Sequence, residues 1–225
     1  YKMFIDGEWV DSESRKTFQS LNPENNEPWA EVPEASEKDV DKAVKAAQKA
    51  FESEWPNLFP RERAKYLKAI ADQLRKNAEL LGKIETIDTG KLFKETKTQA
   101  NYIAEYYDYY AGLADKVEGT VLPIDKANMQ VITTRVPIGV VGAISPFNFP
   151  LNLVCHKVAP AIAAGCPIVL KPASSTPLTA ILLGEVLIEE CGLPAGWLNV
   201  ITCGGSTASH LVEHKDVAMI TFTGS

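Results

Sequence analysis

The sequence predicts an α/β fold: a doubly wound parallel sheet, Rossmann-like, preceded by a helical amino-terminal segment and a β-ribbon. Three observations carry this. From Pro137 onward, short apolar runs alternate with helical stretches, which is the rhythm of parallel strands joined by crossover helices. Between Ser36 and Val117, apolar residues recur at helical spacing with charges opposite. Between these regions, residues 119–136 are rich in β-branched residues around a polar centre. The expected division is therefore 1–118 for a hairpin and helical segment packed on the sheet, 119–136 for the ribbon, and 137–225 for the α/β domain.

In chain order, Phe4-Ile5 and Trp9-Val10 flank Asp6-Gly7, a type I′ hairpin signal. The Pro-, Asn- and Glu-rich stretch from Asn22 to Pro33 reads as extended and loop-like. Ser36 is placed to cap a helix whose apolar face is Val40, Ala43, Val44, Ala47 and Phe51. After a break at Trp55-Pro56, residues Leu67, Ile70, Ala71, Leu74, Ala78 and Leu81 form the stripe of one longer helix, weakened near its end by Gly82 and Gly90. A third helix, about Lys94 to Val117, carries Tyr102, Tyr106, Tyr107, Tyr109 and Tyr110, either as packing with wet tips or as a tunnel or interface lining. Thr120 to Leu122 and Gln130 to Val136 read as an antiparallel pair around Asp125 to Asn128. The sheet then follows: strands at Ile138 to Ile144, Pro167 to Leu170, Leu198 to Ile201 and Val217 to Phe222, and helices at Leu151 to Ala164, Leu178 to Glu190 and Thr207 to Glu213.

Ligands of such sheets bind beyond the carboxyl ends of the strands. The segment Ser145-Pro146-Phe147-Asn148-Phe149-Pro150-Leu151 occupies that position, between an apolar strand and a helix. Asn148 there either serves the turn or, with a backbone N–H, donates to a carbonyl oxygen that becomes an oxyanion. Lys171 and Ser174 fall where the second strand of the sheet ends. A lysine there holds ribose hydroxyls or a phosphate, or it is a solvated surface lysine. No G-x-G-x-x-G follows a strand, so residue pattern alone leaves the cofactor undecided.

The motif Ser145 to Leu151, then Leu170 to Pro177 (Leu-Lys-Pro-Ala-Ser-Ser-Thr-Pro), Gly192-Leu193-Pro194 with Asn199-Val200, and Thr221 to Ser225 (Thr-Phe-Thr-Gly-Ser) resemble the NAD(P)-dependent aldehyde dehydrogenase family in order and spacing. Phe4 to Val10, Asn22-Pro23 and Glu85 to Lys91 (Glu-Thr-Ile-Asp-Thr-Gly-Lys) agree with that family's amino-terminal part. The resemblance implies oxidation of an aldehyde to a carboxylic acid through a cysteine thioester, with Asn148 stabilising the oxyanion. It implies NAD or NADP held by Ile144, Ser145, Pro146, Phe147, Lys171, Ala173, Ser174, Gly204, Ala208, Phe222, Gly224 and Ser225. Ser174 stands where many members have a glutamate that repels a 2′-phosphate, so NADP is expected beside NAD, and its hydroxyl is expected as a free donor. Lys157 is expected either to support the Asn148 region or to be an ordinary exposed helix lysine. Asn152 and His156 fall where the family's aldehyde tunnel runs and lean toward a small polar or anionic aldehyde, although helix exposure would explain them as well.

The nucleophilic cysteine and the general-base glutamate are expected beyond residue 225, so this stretch alone is expected to be inactive. Release of the acyl group to coenzyme A, and a non-catalytic dinucleotide-binding or oligomer-forming module, remain alternatives. In the resembled family the corresponding ribbon projects from the body and joins subunits, so the resemblance implies a homodimer or homotetramer; the alternative is an edge hairpin packed on its own domain.

Composition narrows the field. A 45% hydrophobic content supplies ample core, and a net charge of −6 without a basic cluster lacks the footprint of a nucleic-acid binder. The longest nearly apolar stretch, Val158 to Leu170, is broken by Pro160, Gly165 and Pro167 and is too short to cross a bilayer. With no secretory signal at the amino end, a cytoplasmic location is expected. Cys155, Cys166, Cys191 and Cys203 show no C-x-x-C spacing, and His156, His210 and His214 complete no metal pattern with them, so the four thiols are expected as small hydrophobes and no metal is expected.

Overall fold

The computed structural model describes residues 1–53, 58–185 and 190–224. Its main sheet has six strands in the order β10-β7-β8-β9-β1-β2. Four are parallel: β7 (Val141–Ile144), β8 (Ile168–Lys171), β9 (Leu198–Val200) and β10 (Met219–Phe222). The other two, β1 (Met3–Ile5) and β2 (Glu8–Val10), form an antiparallel hairpin that extends the sheet through Phe4 opposite Val200. Asp6 and Gly7, with φ of 53° and 82°, make the expected turn.

Strand alternation sorts the core into two layers. Met3, Ile5 and Val169 face α1 (Glu37–Ser53) and α7 (Gly205–Glu213), whereas Phe4, Ile168, Leu170, Leu198 and Val200 face α5 (Pro150–Ala164) and α6 (Leu178–Glu185). Helices α2 (Pro60–Lys76), α3 (Ala78–Thr89) and α4 (Phe93–Leu113) pack on the second layer and share its core. The ribbon pairs β5 (Thr120–Leu122) with β6 (Val131–Thr133), and both strands stay almost wholly exposed. The part of the expected last long helix at 186–189, and the break at Trp55-Pro56, lie outside the described residues.

Four readings are corrected or refined. The stretch Asn22 to Pro33, read as extended and loop-like, is the turn and second strand of a hairpin that pairs β3 (Thr17–Asn22) with β4 (Glu27–Pro33). Asn22 and Asn25 cap its turn by accepting the Glu24 and Glu27 N–H groups at 3.0 Å each, so the Asn-rich composition marks a turn and not an extended loop. The single long helix divides at Asn77, whose side-chain amide donates to the Gln73 carbonyl at 3.0 Å and competes with the helical ladder. Gly82, read as a weak point, permits the close crossing of α3 and α4: a Cβ there would lie 2.8 Å from the Lys97 nitrogen. At the start of α1 the cap runs in reverse, with the Ser36 hydroxyl and N–H both donating to Asp39 Oδ2 at 2.8 and 2.7 Å.

Candidate active site

The strand order creates the site. From β7 the chain winds outward through β8 to β9, then returns to place β10 on the other side of β7. The crevice beyond the carboxyl ends of β7 and β10 is therefore a topological switch point, where open α/β sheets bind ligands. Register aligns the strand ends: Ile144 lies beside both Lys171 and Phe222. The Ser145 N–H donates to the Lys171 carbonyl at 3.1 Å and the Thr223 N–H to the Ile144 carbonyl at 3.1 Å, which extends the ladders one step into the loops.

A cavity of about 530 Å³ opens there. Its wall brings together Ile144, Ser145, Pro146, Phe147, Asn148, Lys171, Ala173, Ser174, Phe222 and Gly224, all singled out in the sequence, with Leu153 and Thr223, which were not. A larger hollow of about 730 Å³ lies between the start of the chain and β3, lined by residues such as Asp11, Lys16 and Glu31, away from the strand ends. Gly204 is outside the cavity wall. It caps α7, and an added Cβ there would meet open space. Ala208 is buried between α1 and α7. Ser225 lies outside the described residues.

Lys171 is only 9% exposed, and no carboxylate among the described residues pairs with it. The side chain is thus largely packed, unlike a freely solvated surface lysine, and it lines the cavity. The Ser145 hydroxyl is also buried on the cavity wall without a hydrogen-bond partner among the described residues. An orphaned donor and an unpaired cation beside apolar Ile144, Pro146 and Phe222 fit a ligand with hydroxyls, negative charge and flat rings. A nicotinamide dinucleotide has all three. The Ser174 hydroxyl, expected as a free donor, is committed to the Cys203 carbonyl at 2.9 Å.

Asn148 is exposed in the turn before α5, and among the described residues nothing hydrogen-bonds its amide. It can therefore donate to an incoming oxygen. Asn152 and His156 lie four residues apart on α5 and share one face of that helix. The Asn152 Oδ1 is buried without a partner among the described residues. His156 stacks on Tyr106 with centroids 4.6 Å apart, and burial with the neighbouring Lys157 charge lowers its pKa. The Tyr106 hydroxyl meets that of Tyr102 at 3.1 Å, whereas Tyr107 belongs to the core.

Lys157 is not exposed either. Its ammonium donates to Thr223 Oγ1 at 2.8 Å and Thr221 Oγ1 at 3.4 Å, tying α5 to the strand that forms the cavity's far wall, and burial lowers its pKa. Leu153 escaped sequence reading because its place depends on how α5 is rotated, and Thr223 stood in the Thr221 to Ser225 motif with no role assigned to it. Burial pushes the Cys191 and Cys203 thiols up to about 11 and raises Cys155 further, so none of these three is a thiolate near neutral pH. Among the described residues no cluster of His, Cys, Asp and Glu could hold a metal, and no helix is long and apolar enough to cross a membrane.

Comparison with known proteins adds to this geometry. A model of the aldehyde dehydrogenase family matches residues 9–225. The chain is 46% identical to (Z)-2-((N-methylformamido)methylene)-5-hydroxybutyrolactone dehydrogenase of Acinetobacter baylyi, over 100% of this chain and 46% of that protein. It is 43% identical to betaine aldehyde dehydrogenase of Bacillus subtilis, over 99% of this chain and 46% of that one. Among solved structures, Staphylococcus aureus betaine aldehyde dehydrogenase with NAD+ superimposes with a TM-score of 0.96 at 38% identity, covering 100% of this chain and 46% of that one. The Bacillus cereus aldehyde dehydrogenase NAD+ complex gives 0.96 at 39%, with the same coverage. The chain spans about half the length of these relatives.

Proposed function

The chain belongs to the aldehyde dehydrogenase family, and on that premise we propose that it supplies the dinucleotide cradle and one oxyanion donor of an NAD(P)-dependent aldehyde dehydrogenase. The observation that carries the reading is the switch-point cavity, where an unpaired buried Lys171 and an orphaned Ser145 hydroxyl share a wall with a free Asn148 amide.

In this proposal Lys171 and Ser174 hold the adenosine ribose. Gly204 and Ala208 border the adenine, Ile144 to Phe147 with Ala173 and Phe222 line the length of the cofactor, and Gly224 with Ser225 begins the pyrophosphate turn. When bound, the nicotinamide accepts the aldehyde's hydride. The chain's own contribution is to position and stabilise: the Asn148 Nδ2 donates to the carbonyl oxygen as a cysteine outside this chain attacks, and it holds that oxygen while negative charge gathers on it. Water then supplies the second oxygen of the acid, released from the thioester.

Both solved relatives carry NAD+, which supports NAD, while Ser174 lacks the carboxylate that would repel NADP. Asn152 and His156, on the helix that follows Asn148, favour a small polar aldehyde, in keeping with relatives named for betaine aldehyde. The ribbon exposes Val121, Leu122 and Ile132, which favours burial against another copy in a homodimer or homotetramer.

The test is Asn148→Ala in the full-length protein. Loss of one oxyanion donor should slow acylation by about a hundredfold while cofactor affinity stays nearly constant. An acylation rate within about threefold of the parent would remove Asn148 from the chemistry.

A further inference from the structure

The turn that carries Asn148 has little of its own to hold it. Among the described residues, no hydrogen bond engages residues 146–148 between the Ser145 N–H on the strand side and the Leu153 N–H, which bonds to the Phe149 carbonyl at 2.9 Å, on the helix side. Phe149, the residue after Asn148, is the N-cap of α5 and is held from outside: the Lys91 ammonium sits over its ring, 3.6 Å from the centroid.

How Lys91 gets there follows from the end of α3. Gly90 takes the left-handed conformation at φ 75°, which a side chain would strain, and turns the chain back along the helix it has just left. Lys91 then reaches Glu85, a turn and a half earlier, with Nζ 3.2 Å from Oε1. Glu85 is 1% exposed, and its other oxygen, Oε2, has no hydrogen-bond partner among the described residues. Burial raises the Glu85 pKa, opposed by Lys91 and by the Leu151 backbone N–H at the start of α5. A buried carboxylate thus faces the first turn of α5, and its counter-ion presses on the aromatic ring beside Asn148. A cation over a ring is directional, because it is drawn to the face and not the edge.

We propose that Lys91, anchored by Glu85 and seated on Phe149, is a positioning residue that fixes the Asn148 amide. This inference rests on the reading of Asn148 as the oxyanion donor. It assigns a purpose to the segment Glu85 to Lys91 that neither the cavity nor the core packing supplies.

The test uses full-length enzyme at saturating aldehyde, with single-turnover acylation and NAD titration read separately. Lys91→Met should slow acylation by about tenfold with cofactor affinity within about twofold, because misplacement of a reacting group acts on the rate and not on remote binding. Lys91→Arg, which keeps a cation over the ring, should stay within about threefold of the parent. Phe149→Leu should give a loss like that of Lys91→Met, and the double variant should be no slower than the worse single one, since both remove the same contact. Acylation by Lys91→Met within about twofold of the parent, or additive losses in the double variant, would overturn the proposal. Should Lys91→Met fail to fold, Phe149→Leu leaves the buried pair intact and decides alone, a parental rate overturning the proposal. If Asn148→Ala is slow while the Lys91 and Phe149 variants match the parent, this inference alone falls. If Asn148→Ala also matches the parent, the oxyanion reading falls and takes this inference with it.

Discussion

Asp88 offers a stability prediction whose size follows from its surroundings. The carboxylate is 2% exposed near the end of α3, and it accepts the Ser20 hydroxyl of β3 at 2.7 Å and the Leu178 N–H of α6 at 3.1 Å. Burial outweighs these bonds and pushes its pKa from 3.8 up to about 6, with the nearby Glu85 charge adding to the rise. A carboxyl whose folded pKa is raised binds its proton more tightly in the native state. Its contribution is therefore fully present below the unfolded pKa and is lost as pH rises through about 6. Two pKa units correspond to about 3 kcal/mol in total, of which about 1 kcal/mol is regained on going from neutral pH down to about pH 5. Asp88→Asn abolishes this titration. Urea unfolding of parent and variant at about pH 7.5 and about pH 5 should show the parent gaining about 1 kcal/mol on the variant at the lower pH. A parent-to-variant difference that is the same at both pH values would refute the buried, late-titrating carboxylate.

Two further outcomes are expected. Ser174→Glu in the full-length enzyme should lower kcat/KM for NADP by about tenfold or more relative to NAD, since a carboxylate repels a 2′-phosphate, whereas loss of the Ser174–Cys203 bond affects both cofactors alike; an unchanged ratio would remove Ser174 from the ribose site. Gly82→Ala should lower the urea midpoint, because overpacking against the backbone of Lys97 costs about 1–3 kcal/mol and outweighs the gain in helix propensity; a midpoint at or above the parent's would show that α4 yields freely.

The parts of this molecule that were legible in its sequence are those with local causes. Pro146 and Pro150 bracket Asn148 and force a turn between strand and helix, and the apolar stripe of Val40, Ala43, Val44 and Ala47 is buried as its spacing predicts. The turn residues Asp6-Gly7 fixed the hairpin, but not its place in the fold. That β1 joins the parallel sheet beside β9 depends on Phe4 meeting Val200, a pairing between opposite ends of the chain. Lys171 shows the same limit, because its burial depends on what packs around the end of β8. The contact of Lys91 with Glu85 and Phe149 joins the end of α3 to the start of α5 only once both are folded, so the segment looked like motif without role. Asn77 was overlooked because a continuous apolar stripe conceals a break that a single side-chain amide makes.

The reading of this chain rests on the crevice at the ends of β7, β8 and β10 being the dinucleotide site. The most direct measurement is a structure of the full-length protein with NAD. The adenosine ribose should lie against Lys171 and Ser174, and the nicotinamide should lie at the end of the cavity beside Asn148. A dinucleotide ordered elsewhere, with Lys171 and the Ser145 hydroxyl still without a ligand, would contradict it.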